Sequence, residues 1–353
     1  MSSVARLFAC VLLIILASGS LTGLAGQQYS FKKEIQIGGA GGWDFIDVDP
    51  AARRLYVPHG AKVFVIDTDK NTVVGSIADT PGIVHQAIAV APGIGKAVVR
   101  NGGQPANVGI VDLKTGTMAS KVEPAPSDFM LYEPAQKEFW LFRSDATVID
   151  GASGKIVATI PIGGALELAA ADPKANRVYV NVMDKNTVVA MDTQTHKVVA
   201  TWPIAPGEMA AGMAIDVEHH RLFIGCHNNL MVMMDSTNGK ILAQVPAGKG
   251  IDGTWYDPAT RLVFSSAGDG TVTIAKEETS DKLTILQILK TAIGARTMAL
   301  DTKNHSIYIA RLKYSVPDSS LVVQANGDLR IQGTDKRPDP TPESFSVLVY
   351  GLN

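Results

Sequence analysis

Asp172-Pro173-Lys174-Ala175-Asn176-Arg177-Val178-Tyr179-Val180-Asn181 is followed by Thr187-Val188-Val189-Ala190-Met191-Asp192 and then by Lys197-Val198-Val199. Three short runs rich in β-branched residues are separated by turn-forming residues, with an apolar run, Leu166 to Ala171, ahead of the first turn. This order returns along the whole chain. Its first anchor falls at Asp49, Ala91, Glu133, Asp172, Asp216, Asp257 and Asp301, spaced 42, 42, 39, 44, 41 and 44 residues. Its second anchor falls at Asp67, Asp112, Asp150, Asp192, Asp235 and Lys276, spaced 45, 38, 42, 43 and 41. Two registers that keep one period mark a structural repeat.

Each unit holds four strand-like runs, with turn pairs such as Lys70-Asn71, Thr115-Gly116, Ser153-Gly154 and Asn238-Gly239 between the third and fourth. Helical periodicity is nearly absent. Four strands per unit and seven anchors predict an all-β, seven-bladed β-propeller with four antiparallel strands per blade. The seventh unit offers only three runs, Thr297–Leu300, Ser306–Arg311 and Phe345–Leu352, while a spare run, Tyr29–Ile37, lies near the N-terminus. The expectation is a ring closed by that N-terminal strand, which completes the last blade and hides an open sheet edge.

The 353 residues are 46% hydrophobic and 19% charged, with 33 Gly and a formal net charge of −2. This excludes disorder and lacks the polybasic signature of a dedicated nucleic-acid binder. Residues 1–26 read as a signal peptide: Arg6, an apolar run from Leu7 to Ala17, and a small-x-small site at Gly23-Leu24-Ala25. That run is too short for a bilayer span. The expectation is a periplasmic or extracellular protein without a stable membrane anchor, a monomer, with residues 27–353 forming one propeller domain. Cys226 is then its only cysteine, so no internal disulfide forms.

Arg177-Val178-Tyr179-Val180-Asn181 with Asn186 to Asp192, Arg54-Leu55-Tyr56-Val57 with Val63 to Asp67, Gly225-Cys226-His227-Asn228, and Gly294 to Asp301 resemble the YVTN-type repeat of YncE-like bacterial β-propellers. The resemblance spans essentially residues 27–353. It implies an exported propeller with a ligand- or partner-binding role, and specifies fold far more than function. Ala91 and Lys276 replace anchor Asp residues, and Pro105 interrupts the second unit.

Catalytic motifs are missing. Gly39-Ala40-Gly41-Gly42 places Asp44 where a dinucleotide loop needs its third glycine, and no Gly-x-Ser-x-Gly, His-Glu-x-x-His or haem-attachment motif occurs. His219 and His220 are expected in a solvated turn. Met209, Met213, Met231, Met233 and Met234 near Cys226 and His227 offer soft ligands for Cu(I), but no ligand spacing repeats, and the reading favoured here is core filler.

In a propeller the innermost strand of each blade lines the central channel. Five residues before each first anchor stand Asp44, Gln86, Asp128, Glu167, Ala211, Asp252 and Arg296. The next register, Phe45, Ala87, Phe129, Leu168, Gly212, Gly253 and Thr297, is apolar or small. Polarity is thus confined to one ring at the channel mouth. The loops between second and third strands bring His59, Arg100, Asn101, Arg143, Asn181, Cys226, His227, Asp269 and Arg311 to that face, with His85 beside Gln86. The predicted ligand-binding set is Asp44, Gln86, Asp128, Glu167, Asp252, Arg296, His59, His85, Arg143, His227 and Arg311. A long insertion, residues 312–344, contains a predicted hairpin, Leu321–Gln332, turned at Asn326-Gly327, which is either a lid or a surface excursion.

Two carboxylates about 8 Å apart repel by roughly 2 kcal/mol at an effective dielectric of 20. A dry ring of Asp44, Asp128, Glu167 and Asp252 therefore calls for Ca²⁺ or another divalent cation, or for raised pKa values; a wet funnel needs neither. The leading expectation is a non-catalytic exported scaffold that binds a small ligand or protein partner at the channel mouth. The alternatives are a metal-dependent lactonase-like hydrolase, with Asp128 or Glu167 as base and Arg296 or His85 at the oxyanion, and a single-stranded nucleic-acid binder using Trp43 and the face's arginines.

Overall fold

The computed structural model describes residues 28–78, 80, 86–101 and 106–353. The expected signal peptide, His85 and Pro105 lie outside these residues. The N-terminal strand is β1 (Tyr29–Gln36). Six blades then follow in order. They are β2 (Asp47–Asp49) with β3 (Arg54–His59), β4 (Lys62–Asp67) and β5 (Thr72–Ile77), then β6 (Ile88–Ala91) with β7 (Lys96–Asn101), β8 (Asn107–Asp112) and β9 (Thr117–Val122). The third is β10 (Phe129–Glu133), β11 (Glu138–Phe142), β12 (Ala146–Asp150) and β13 (Ile156–Ile160). The fourth is β14 (Leu166–Asp172), β15 (Arg177–Val182), β16 (Thr187–Asp192) and β17 (Lys197–Pro203). The fifth is β18 (Ala210–Asp216), β19 (Arg221–Cys226), β20 (Leu230–Asp235) and β21 (Ile241–Pro246). The sixth is β22 (Ile251–Asp257), β23 (Leu262–Ala267), β24 (Thr271–Thr279) and β25 (Lys282–Lys290).

The seventh sheet has the order β1-β30-β27-β26, from β26 (Met298–Asp301), β27 (Ser306–Arg311) and β30 (Ser346–Leu352). Strand β1 pairs antiparallel with β30, Tyr29 opposite Leu352 and Gln36 opposite Ser346. The remaining two-stranded sheet, β28 (Leu321–Val323) and β29 (Leu329–Ile331), is the insertion hairpin. Each inner strand touches the inner strands of the blades before and after it, from β2 through β26 and back to β2. The protein is a seven-bladed propeller.

The acidic anchors repeat because each closes a turn. Asp172 Oδ1 accepts hydrogen bonds from the backbone N–H of Lys174 and Ala175, both 3.0 Å, and Asp192 Oδ1 does the same for Gln194 and Thr195 at 3.0 and 2.8 Å. These are side-chain-closed turns that Asp favours over apolar residues. The second oxygen of Asp192 pairs with Arg177, and that of Asp67 with Arg54 at 3.0 Å, which explains why Arg opens the second strand of these blades.

The core lies between blades. Met231 and Met233 are fully buried among Phe223, Tyr256 and Val263, as core filler at the junction of the fifth and sixth blades. His219 and His220 lie exposed in the turn after β18, as expected, and His219 Nδ1 also lies 2.6 Å from Asp216 Oδ2.

Candidate functional site

Asp44, Asp128, Glu167, Ala211, Asp252 and Arg296 come together around one cavity of about 340 Å³ at the channel mouth. The backbone explains why one register turns polar side chains inward. Strand β14 breaks register with β15 between Leu166 and Ala169, β18 with β19 between Ala210 and Gly212, and β22 with β23 between Ile251 and Gly253. Each bulge holds the collar residue, and an unpaired bulge residue re-aims its side chain out of the ladder.

Second-strand residues add Arg100, and loops add Arg143 and His227. The charges interleave. Arg100 Nη1 lies 2.9 Å from Asp128 Oδ1, and Arg296 Nε lies 3.6 Å from Asp252 Oδ1. Thr297 Oγ1 donates to Asp252 Oδ2 at 3.2 Å and fixes it from the next blade. Carboxylates and arginines thus occupy the same collar, paired across blades. Arg143 enters the cavity exposed, with no side-chain partner among the described residues.

Glu167 is pushed up to about 8, first by burial and then by the charges of Asp252, Asp128 and Asp44, against a smaller opposing effect of Arg296. It is mostly a neutral carboxylic acid at neutral pH, and so a hydrogen-bond donor. The Asp252 charge holds the Arg296 guanidinium above its usual value. Burial lowers His227, whose Nε2 lies 2.9 Å from the Ile251 carbonyl and donates to it, so its ring is neutral.

Not every expected residue reaches the cavity. Gln86 is fully buried and its amide donates to the Thr80 carbonyl at 2.8 Å. His59 is buried, stacked on Phe345 at 3.8 Å, and Arg311 lies 3.8 Å from Glu34. Asn181 is buried and donates to the carbonyls of Ala211 and Gly212. The insertion does reach the collar: Asn326 lines the cavity, and the Gly327 carbonyl accepts a 2.9 Å hydrogen bond from Arg296 Nη1. The hairpin comes this close because Gly250 has no side chain; a Cβ there would stand 2.9 Å from the Gly327 Cα.

Asp44, Asp128, Glu167 and Asp252 do not fit a calcium cage. Two of them are engaged by arginine, and no three bring ligating oxygens within 4.8 Å of one another. Among the described residues one group does, Asp216, His219 and Glu277, between the fifth and sixth blades. Its atoms already serve each other. The Tyr256 hydroxyl lies 2.8 Å from Asp216 Oδ2 and 3.0 Å from Glu277 Oε2, and Arg261 lies 3.3 Å from Glu277. Burial raises Glu277; in Asp216 hydrogen bonds from His219 and Tyr256 outweigh burial and keep it low.

Sequence reasoning missed the larger cavity. Beneath the collar, whose wall shares Phe45 with it, lies a half-open cavity of about 640 Å³ lined mostly by apolar side chains, with Asp47 and Lys137 its only charged residues among those described. Counting two residues before each anchor gives Asp47, Ala89, Leu131, Ala170, Ala214, Trp255 and Ala299. That register holds a single charge, and it would have exposed Asp47.

No protein-family model matches the chain, and no curated protein matches it either.

Proposed function

We propose that this protein is a non-catalytic binding propeller whose polar collar takes a small organic acid. The observation that carries this reading is the pairing pattern of the collar. Arg100 and Arg296 have carboxylate partners, whereas Arg143 has none among the described residues and faces the same cavity as the neutral Glu167. A ligand carboxylate meets Arg143 in a bidentate pair, and a ligand oxygen accepts from Glu167. The volume suits a metabolite of modest size. An amino or hydroxyl group on the ligand would meet the paired carboxylates.

Resemblance of the repeat anchors to YncE-like propellers, together with the apolar run Leu7 to Ala17, supports an exported role. The insertion hairpin, held by Arg296, supports a capped site rather than an open docking face. A panel of small mono- and dicarboxylates, hydroxy acids and amino acids, screened for a rise in melting temperature, tests the reading. At least one such acid is expected to stabilise the protein in a saturable way. Stabilisation by none of them, or equally by inorganic anions, contradicts it.

A further inference from the structure

The apolar channel below the collar is a second compartment, and its chemistry differs from that of the mouth. Its volume, about 640 Å³, lies in the range of small-molecule sites. Its wall is mostly aliphatic, with Phe45, Phe129, Tyr132, Trp255 and Tyr256 adding aromatic rings. Water filling such a space finds few hydrogen-bonding partners.

Into this wall projects one carboxyl group. Asp47 Oδ1 accepts from the Val48 N–H and Oδ2 from the Val90 N–H, both at 2.8 Å, so the group is fixed in direction while each oxygen keeps a further lone pair. No ion pair reaches it among the described residues. Burial first, and then the charge of Asp49, push it up to about 7, a measure of how poorly its surroundings stabilise the anion. Tyr56, opposite Asp47 on β3, is itself pushed up. Lys137 stands exposed in the turn after β10.

We propose that the channel binds a lipophilic amine, its apolar body against the apolar wall and its ammonium on the Asp47 carboxylate. An ammonium supplies the missing countercharge and also suits the aromatic faces. A fatty acid of the same length would set two carboxylates together, and a neutral chain would leave the anion uncompensated. The site is independent of the collar reading.

Calorimetric titration of the full chain with decylamine, decanol and decanoate, each below its micelle-forming concentration, tests the proposal. The amine is expected to bind at least tenfold more tightly than the alcohol, and decanoate more weakly than either. Asp47→Asn, which keeps the shape, is expected to bring the amine to the level of the alcohol and leave the alcohol unchanged. Ala170→Phe, which fills part of the cavity, is expected to weaken both. Absent amine binding, equal binding of amine and decanoate, or undiminished amine affinity in Asp47→Asn overturns the proposal. Should Asp47→Asn not fold, the ranking of the three ligands on the wild-type chain decides.

Discussion

The Arg296 guanidinium donates a 2.9 Å hydrogen bond to the Gly327 carbonyl while lying 3.6 Å from the Asp252 carboxylate. One side chain thus joins the insertion hairpin to the collar. Replacing it loosens the cap without disturbing the blades. A charge-assisted hydrogen bond contributes about 1.5–3 kcal/mol. In Arg296→Ala, amide hydrogen exchange in residues 321–331 is expected to accelerate by at least about tenfold, with exchange in the blade strands unchanged. Unaltered exchange in the hairpin counts against the cap.

Stability is expected to depend on pH through Glu167. An unfolded glutamate titrates near 4.3, whereas the folded one titrates at about 8. Between these values the folded chain holds the extra proton. The contribution is therefore complete below the unfolded value and is lost as pH rises through the folded one. The slope is no steeper than about 1.4 kcal/mol per pH unit. Asp47, at about 7, acts in the same direction and persists in the variant. Denaturant unfolding of wild type and Glu167→Gln from pH 5 to 8 should give a flatter curve for the variant; parallel curves would refute the assignment.

Strand β1 is fastened by Tyr29. Its ring packs edge-on to Phe264 at 5.1 Å, and Gln287 exchanges hydrogen bonds of 2.9 and 2.8 Å with its backbone. Tyr29→Ala is expected to cost about 3 kcal/mol or more, as for other large core truncations. The Tyr29 hydroxyl has no partner among the described residues, so Tyr29→Phe should be neutral or stabilising. Chemical denaturation of both variants checks the pair, and a large loss in Tyr29→Phe would show a missing partner.

A single Tyr256 hydroxyl serves two buried carboxyl groups, Asp216 and Glu277. Tyr256→Phe leaves them facing each other with one donor fewer. A loss of about 1–3 kcal/mol at neutral pH is expected. Added Zn²⁺ raising the melting temperature of wild type would show instead that the cluster takes a metal.

The fold was legible because its determinants are local. The anchor Asp residues close turns with their own side chains, so they must recur at fixed distances in the chain. The collar was legible for a related reason, since counting from an anchor finds the bulged residues of β14, β18 and β22. What sequence could not show is partnership across blades. Arg100 and Asp128 are 28 residues apart, Arg296 and Asp252 44, and nothing in either neighbourhood says they pair. Gln86 and His59 occupy expected positions but turn away, because Gln86 meets the Thr80 carbonyl and His59 the ring of Phe345. The apolar channel escaped notice because its residues look like ordinary core when each strand is read alone.

The central claim is that the collar binds an organic acid through Arg143. Calorimetric titration of the most stabilising acid from the panel, into wild type and Arg143→Ala at neutral pH, tests it most directly. Loss of the bidentate pair is expected to weaken binding at least about tenfold while the melting temperature of the free protein stays within a few degrees. Equal affinities would contradict it.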